Sequence, residues 1–382
     1  MAQIIEVVKS KKYLVRVFTG RRNGKRTFYS KTITGTKKDA REFGREKERA
    51  HKLGLPLEPT NLTVDELLDR WLKQCQRHVR TNTHAWYCSL MDNYVRPHIG
   101  KCALAQLKPF DFEDLYAKLT EQGLSGRTVR HVHTRLGTAF KQAVKWEMLT
   151  KNPVTLAAPP PVEKNEMHFL SPDEAKRFVA ATYEDPSGLI LRFALATGLR
   201  PEEYIGLQWR ELVLDNPKRG VAHVRRAVVW SKAGKGWSFG DVKSRASVRD
   251  VYFPLSLVRE LQEHRRRQME ARLRMGKHYQ NHDLVFAAPA GEPLHPDKVR
   301  RLQFRPALKR AELPATIRLY DLRHSYVTLS LVGGVKPKTV SEQAGHASVQ
   351  FTLDNYAHVL PEEREGASDR LESLLFSASV TG

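Results

Sequence analysis

Cysteine is scarce in this chain of 382 residues: Cys75, Cys88 and Cys102 are all there is, with no close pair among them. That number and spacing exclude a disulfide framework and a cysteine metal box, leaving reduced, packed thiols as the expectation. No apolar run approaches the length of a membrane span, and the opening Met1-Ala-Gln-Ile has no secretory pattern, so a cytoplasmic protein is expected. Acidic residues are in deficit. Against 64 Lys and Arg stand 42 Asp and Glu, a net charge of +22 with a pI near 9.9. A polyanion is therefore the default partner, although a generic basic surface would account for the charge alone. With 41% hydrophobic and 9% aromatic residues the chain is not a disordered basic tail, and its length suits two or three folded domains.

Three compositional blocks follow one another. Residues 1–60 hold 16 Lys and Arg against 6 Asp and Glu, a net of +10. Tyr13–Phe18 and Arg26–Thr34 read as strands joined at Asn23-Gly24, and Thr36 caps a helix with Ala40, Phe43, Ala50 and Leu53 inward, closed by Gly54. Arg16, Arg21, Arg22, Lys25 and Arg26 place charge on both strands and their turn. A small sheet backed by one helix and basic on its open face is a common way to set strands in a DNA groove; a solvated charged face is the plainer explanation. Residues 61–153 read as helical, with a Thr63 cap and amphipathic runs over 83–95, 110–121 and 125–146. Arg127, Arg130 and Arg135, with His131, cluster around a helix start suited to phosphate contacts, or form a solvent-facing basic stripe. Residues 154–165, with three consecutive prolines, read as a stiff, extended linker to a third block, 166–382. Ser171-Pro172-Asp-Glu174 opens that block with a capping box.

The chemistry gathers in the third block. Gly188–Gly198 is apolar enough for a buried helix and delivers Arg200 just past a Thr-Gly turn, with Glu203 three residues on, able to orient it. Strand-like stretches at 220–230 and 247–253 bracket Lys243, near the tip of a hairpin. Further on stand Tyr320, Arg323, His346 and Tyr356. A tyrosine hydroxyl, with a pKa of about 10, is a poor nucleophile at neutral pH. Two guanidinium groups change that, because they hold the non-bridging oxygens of a five-coordinate phosphorus while an imidazole adds a hydrogen bond. Such a set forms a phosphotyrosine with no metal ion or cofactor. Taken singly, each residue has a bland explanation in packing or solvation.

Taken together they do not. Ala194-Leu-Ala-Thr-Gly-Leu-Arg200-Pro-Glu-Glu203, Asp321-Leu-Arg323-His324-Ser-Tyr, Ala344-Gly-His346 and Thr352-Leu-Asp-Asn-Tyr356-Ala-His358 resemble the tyrosine recombinase (phage integrase) family, in the right order. Tyr94-Val-Arg-Pro-His-Ile-Gly100 resembles that family's helical core-binding domain, and the first block is similar to its arm-type DNA-binding domain. The resemblance implies an α+β multidomain fold: a small sheet-plus-helix domain, a helical domain and a mainly α catalytic domain with a small antiparallel sheet. It implies that Arg200 and Arg323 clamp the scissile phosphate, His346 donates to it, and Tyr356 attacks to leave a 3′-phosphotyrosine. Lys243 protonates the 5′-oxygen and Glu203 orients Arg200 from behind. One departure stands out: the family usually has His where this chain has Tyr320, and a phenol is a donor rather than a base near pH 7.

The implied function is site-specific recombination of double-stranded DNA, at core and arm-type sites, by an integrase or excisionase of a phage or mobile element. A homotetramer on DNA and accessory DNA-bending or excision factors go with it. A type IB topoisomerase shares the nucleophile and clamp but not the first two blocks. A binding-only relative would have no need of the full set of catalytic residues. The tail Ser368–Phe376 is expected to form an amphipathic helix that docks on a neighbouring subunit or on its own domain.

Overall fold

A computed structural model describes residues 2–9, 11–22, 25–52, 62–162, 168–231, 236–242 and 247–356. The Asn23-Gly24 turn, the helix end at Leu53 and Gly54, Lys243 and the tail 368–376 lie outside the described residues, as does the Arg22 side chain. The chain divides into two compact units, one running to Lys164 and the other starting at Asn165.

The first unit opens with an antiparallel sheet, β1 (Gln3–Val8), β2 (Lys12–Arg22) and β3 (Lys25–Thr34), ordered β1-β2-β3 and followed by α1 (Lys37–Lys52). β1 was not expected from the sequence; it pairs Ile4 with Val15 and Ile5 with Leu14. Thr36 and Asp39 cap α1 reciprocally, the Thr36 N–H donating to Asp39 Oδ2 at 2.8 Å and the Asp39 N–H to Thr36 Oγ1 at 3.3 Å. Alternation along β2 turns Tyr13, Val15 and Val17 onto Ala40 of the helix, as a two-residue period requires. The opposite face is not simply basic, contrary to the expectation. Leu14, Arg16 and Phe18 share it, Phe18 meets Phe28 edge-on at 5.6 Å, and the Arg16 guanidinium lies 4.6 Å from the Phe28 ring centre. The cations crowd the hairpin end instead.

Next in the chain come α2 (Val64–Cys75), α3 (Thr81–Tyr94), α4 (Arg96–Ile99), α5 (Pro109–Glu121) and α6 (Gly126–Lys145). Leu67, Leu68, Trp71, Met91, Phe112, Leu115 and Phe140 fill the core between them. The start of the expected extended linker belongs to this core. Pro153–Leu156 forms a 3-10 turn, because Val154 and Ala157 find apolar cover there and the Asn152 side chain caps the turn.

In the second unit, Ser171 caps α7 (Pro172–Thr182), which precedes α8 (Leu189–Thr197) and α9 (Pro201–Ile205). Strands β4 (Leu212–Val213), β5 (Gly220–Val224), β6 (Arg226–Trp230), β7 (Trp237–Asp241) and β8 (Arg249–Phe253) form two antiparallel sheets, β4-β5-β8 and β6-β7. The stretch 220–230, expected as one strand, therefore breaks at Arg225. Its guanidinium donates to the Val224 and Arg249 carbonyls and to Asp250, so β5 stays on β8 while β6 peels away to pair with β7. Helices α10 (Leu255–Met275), α11 (Pro296–Val299), α12 (Arg305–Arg310), α13 (Asp321–Val332), α14 (Pro337–Ala344) and α15 (Val349–Tyr356) complete the unit. Phe178, Phe193, Ile205, Phe253, Leu261 and Phe304 pack its main core, and Val327, Leu331, Val340, Ala344 and Tyr356 a smaller one. No helix among the described residues is long and apolar enough to cross a membrane.

Candidate active site

Gly198 ends α8 in the left-handed region, at φ 62°, and a Cβ there would sit 2.2 Å from the Tyr326 ring. Only glycine fits both constraints, and the turn it makes sends Arg200 back across the unit. Arg200 starts α9 and folds onto its own helix. Its N–H donates to Glu203 Oε2 at 3.0 Å and its Nη1 to Oε1 at 2.8 Å, while Nη2 reaches the Gly345 carbonyl at 2.9 Å. Glu203 thus orients Arg200 as the spacing led one to expect.

Arg249 also grips Glu203, which the sequence reading missed. Its Nη2 and Nη1 lie 2.9 and 3.2 Å from the two carboxylate oxygens, and its Nε donates to the Gln343 carbonyl at 2.6 Å. A signal was available: Arg249 is in phase with Val251 and Phe253 on the inward face of β8, where a charge needs a partner.

Arg323 lies on the first turn of α13, only 3% exposed. Its Nη1 donates to the Gly198 carbonyl at 2.8 Å, and its buried Nη2 has no partner among the described residues. Asp321 is held by Arg318, and Ser325 accepts the Leu170 N–H at 2.9 Å, which pins the start of the helix. His324 follows, its Nδ1 hydrogen-bonded to the Tyr356 hydroxyl. Tyr320 stands at the helix entrance, 41% exposed, its ring edge-on to His324 at 5.4 Å and its phenol in the neighbourhood of Arg200.

Gly345, at φ 67°, ends α14 and turns the chain into His346. His346 Nδ1 lies 2.8 Å from Thr352 Oγ1; with the threonine donating, the ring proton sits on Nε2 and is free for a ligand. Tyr356 ends α15, 1% exposed, its ring parallel to His346 at 6.3 Å.

The electrostatics follow from burying four charges together. Burial alone would raise Glu203, but Arg249 and Arg200 hold it below the ordinary carboxylate range. Burial, then the charge of Arg200, lowers Arg323 to about 10, leaving it charged at neutral pH. Burial and the arginines depress His346 to about 3, and burial lowers His324 too, so both rings are neutral at pH 7. Tyr356 is pushed up to about 12 by burial, with Arg323 working against that shift. The unaided phenol is therefore a worse nucleophile here than in water.

Arg200, Glu203, Tyr320, Arg323, His346 and Tyr356 thus come together in one unit, from segments up to 156 residues apart in numbering. Lys243 cannot be placed, lying outside the described residues. In the first unit, Arg21 faces Arg26 and Arg22 faces Lys25 in the strand register, like charge opposite like. Arg127 and Arg130 are exposed, Arg130 donating to the Pro160 carbonyl at 3.1 Å. Arg135 differs from the expected phosphate contact. It donates to Tyr87 Oη at 2.9 Å and its guanidinium lies 5.0 Å from that ring's centre, because the helix face it occupies packs on α3.

The sequence pattern described as the phage integrase family matches residues 168–363, and that of the phage integrase N-terminal SAM-like domain matches residues 63–120. A tyrosine recombinase XerC-like protein of Caldanaerobacter subterraneus is 30% identical, over 98% of this chain and 100% of its own length. Among solved structures, the Tn1549 transposon integrase in complex with transposon right end DNA superposes with a TM-score of 0.67 at 22% identity, covering 83% of this chain and 100% of that one. A lambda integrase tetramer bound to a Holliday junction gives 0.55 at 16% identity, covering 92% and 93%. The chain belongs to the phage integrase family of tyrosine recombinases.

Proposed function

We propose that this enzyme cleaves and rejoins double-stranded DNA at the attachment sites of a phage or other mobile element, through a 3′-phosphotyrosine. The observation that carries this reading is the buried Nη2 of Arg323, unpartnered among the described residues, beside Arg200 and the Tyr356 side chain. A buried guanidinium nitrogen without a partner is costly, and a phosphate oxygen satisfies it. Arg200 and Arg323 hold the non-bridging oxygens, and His346 donates from Nε2. The Tyr356 oxygen attacks phosphorus, the bond to the 5′-oxygen breaks, and Lys243 supplies the proton that this oxygen takes up. Tyr320 adds a phenolic donor beside Arg200. The broken bond's energy stays in the phosphotyrosine, so rejoining needs no ATP, and the guanidinium pair supplies the charge that a metal would otherwise bring.

The catalytic part is assigned to residues 166–382, core-site binding to 61–153 across the linker 154–165, and arm-type site binding to 1–60. Like charges opposed across a hairpin destabilise it, and a polyanion laid along Arg21, Arg22, Lys25 and Arg26 removes that repulsion. The lambda integrase, solved as a tetramer on a Holliday junction, supports a homotetramer on DNA for this chain. Accessory bending or excision factors and a cytoplasmic location fit the same function. The test is a nicked duplex taken from the DNA flanking the gene, incubated with protein and EDTA and run on a denaturing gel. A covalent adduct is expected, and Tyr356→Phe should form none. An adduct that survives this substitution, or that needs magnesium, rules the reading out.

A further inference from the structure

We propose that His324 is the general base of this site, taking the Tyr356 proton at Nδ1 as the tyrosine oxygen attacks phosphorus. The inference rests on the recombinase function above and names a residue that function left without a role. Among the described residues, His324 is the one hydrogen-bond partner of the Tyr356 hydroxyl. The other imidazole is differently placed: His346 has its Nδ1 occupied by Thr352, and its ring lies parallel to the Tyr356 ring instead of meeting the hydroxyl with a ring nitrogen.

The family's usual histidine at position 320 is a tyrosine in this chain, and Tyr320 stands exposed at the entrance of α13. Position 324 is one helical turn further along α13, on the same face, and the two rings touch edge to face. An imidazole therefore stands at the nucleophile although position 320 carries none. Around it lie Tyr320, Asp321, Arg318, Arg323, His346 and Tyr356. Burial first, and then the two arginines against the opposing Asp321, keeps the ring neutral near pH 7, so its lone pair is available.

The step balances. The bond from Tyr356 Oη to phosphorus forms, the bond from phosphorus to the 5′-oxygen breaks, and the phenolic proton moves to His324 Nδ1. The leaving oxygen takes its proton from a separate acid. In the rejoining step the incoming 5′-hydroxyl displaces the tyrosine and gives its proton back to the conjugate base of that acid, while the imidazolium returns its proton to the phenolate.

The test follows single-turnover adduct formation by the full-length protein on the same nicked flanking duplex. Wild type and Tyr356→Phe establish that the adduct forms and through which residue, so a missing wild-type adduct defeats the recombinase reading itself. His324→Ala and His324→Asn should keep core-site affinity but form adduct about 100-fold more slowly, the lower end of what a positioned base contributes. Replacing the 5′-bridging oxygen by sulfur, which leaves without a proton, should not rescue either variant. Added imidazole should restore His324→Ala by about tenfold, with the rate rising with the basicity of substituted imidazoles. Asparagine keeps a hydrogen-bonding group near the hydroxyl but accepts no proton, so His324→Asn within about threefold of wild type overturns the assignment. Rescue by the sulfur substrate overturns it as well, since His324 would then serve the leaving group. Loss of core-site binding in both variants would mark His324 as structural and overturn it too. Tyr320→Phe should slow cleavage less than His324→Ala.

Discussion

Arg249 binds Glu203 through two parallel contacts, 2.9 and 3.2 Å long, and both side chains are buried. Because Arg200 takes the same carboxylate at 2.8 Å, the anion is shared between α9 and β8, and its bond to Arg249 spans 46 residues of sequence. Removing Arg249 would leave Glu203 with one guanidinium and free the Gln343 carbonyl beside the Gly345 turn. Arg249→Ala should cost about 3–5 kcal/mol in urea unfolding, as expected for breaking a buried pair, and should slow adduct formation. Arg249→Lys should not recover the loss, since an ammonium lacks the planar fork. A variant as stable as wild type would remove Arg249 from the support of the clamp.

Arg323→Lys keeps a positive charge but loses both the hold on the Gly198 carbonyl and the free Nη2. Core-site affinity in a mobility-shift assay should change little, because the rest of the basic surface remains. Single-turnover cleavage should fall by about 10²–10³, the scale for losing one preorganised donor to a transition-state anion. Equal losses in affinity and rate would mean that Arg323 binds ground state and transition state alike.

The elements most legible in the sequence were those whose order is local. Thr63 and Ser171 each cap the helix that follows them, and the apolar run before Gly198 is a buried helix. Legibility failed where long-range partners decide. β1 exists because β2 offers it an edge, and Arg225 divides a stretch whose residues favour strand throughout. Val154 looked like linker until the helical core supplied its cover. In the site, motif order identified Arg200, Arg323, His346 and Tyr356, whereas Arg249 and the contact of His324 with Tyr356 depend on distances no spacing reveals.

Acid should destabilise the second unit through His346. In the unfolded chain its imidazole takes up a proton as pH falls below about 6.5; in the folded protein it stays neutral down to about 3. Between those values the unfolded state binds the extra proton, so stability declines as pH drops through the window and is unaffected above it. His324, also lowered by burial, acts in the same direction. Urea midpoints at pH 7, 6 and 5 should therefore descend, and His346→Gln should flatten the slope. A parallel decline in that variant would place the acid sensitivity elsewhere.

Arm-type binding should depend steeply on salt. Arg21 and Arg26 face one another across the hairpin, both exposed. Replacing both by alanine should lower the slope of log affinity against log salt by about one per phosphate contact removed. Binding to the core site should be untouched. An unchanged slope would leave these residues as solvated charge.

Arg323 and Arg200 each hold the carbonyl of a helix-ending glycine, Gly198 and Gly345, across 125 and 145 residues of chain. Neither contact forms from neighbouring sequence, and Arg200 in particular waits for the segment that ends α14. During synthesis the segment bearing Arg200 emerges long before Gly345, His346 or Tyr356. A nascent chain that has already folded its helices near the N-terminus meets DNA with no assembled cleavage site. Assembly of the Arg200 and Arg323 site is thereby deferred until the segment bearing Gly345 has been made.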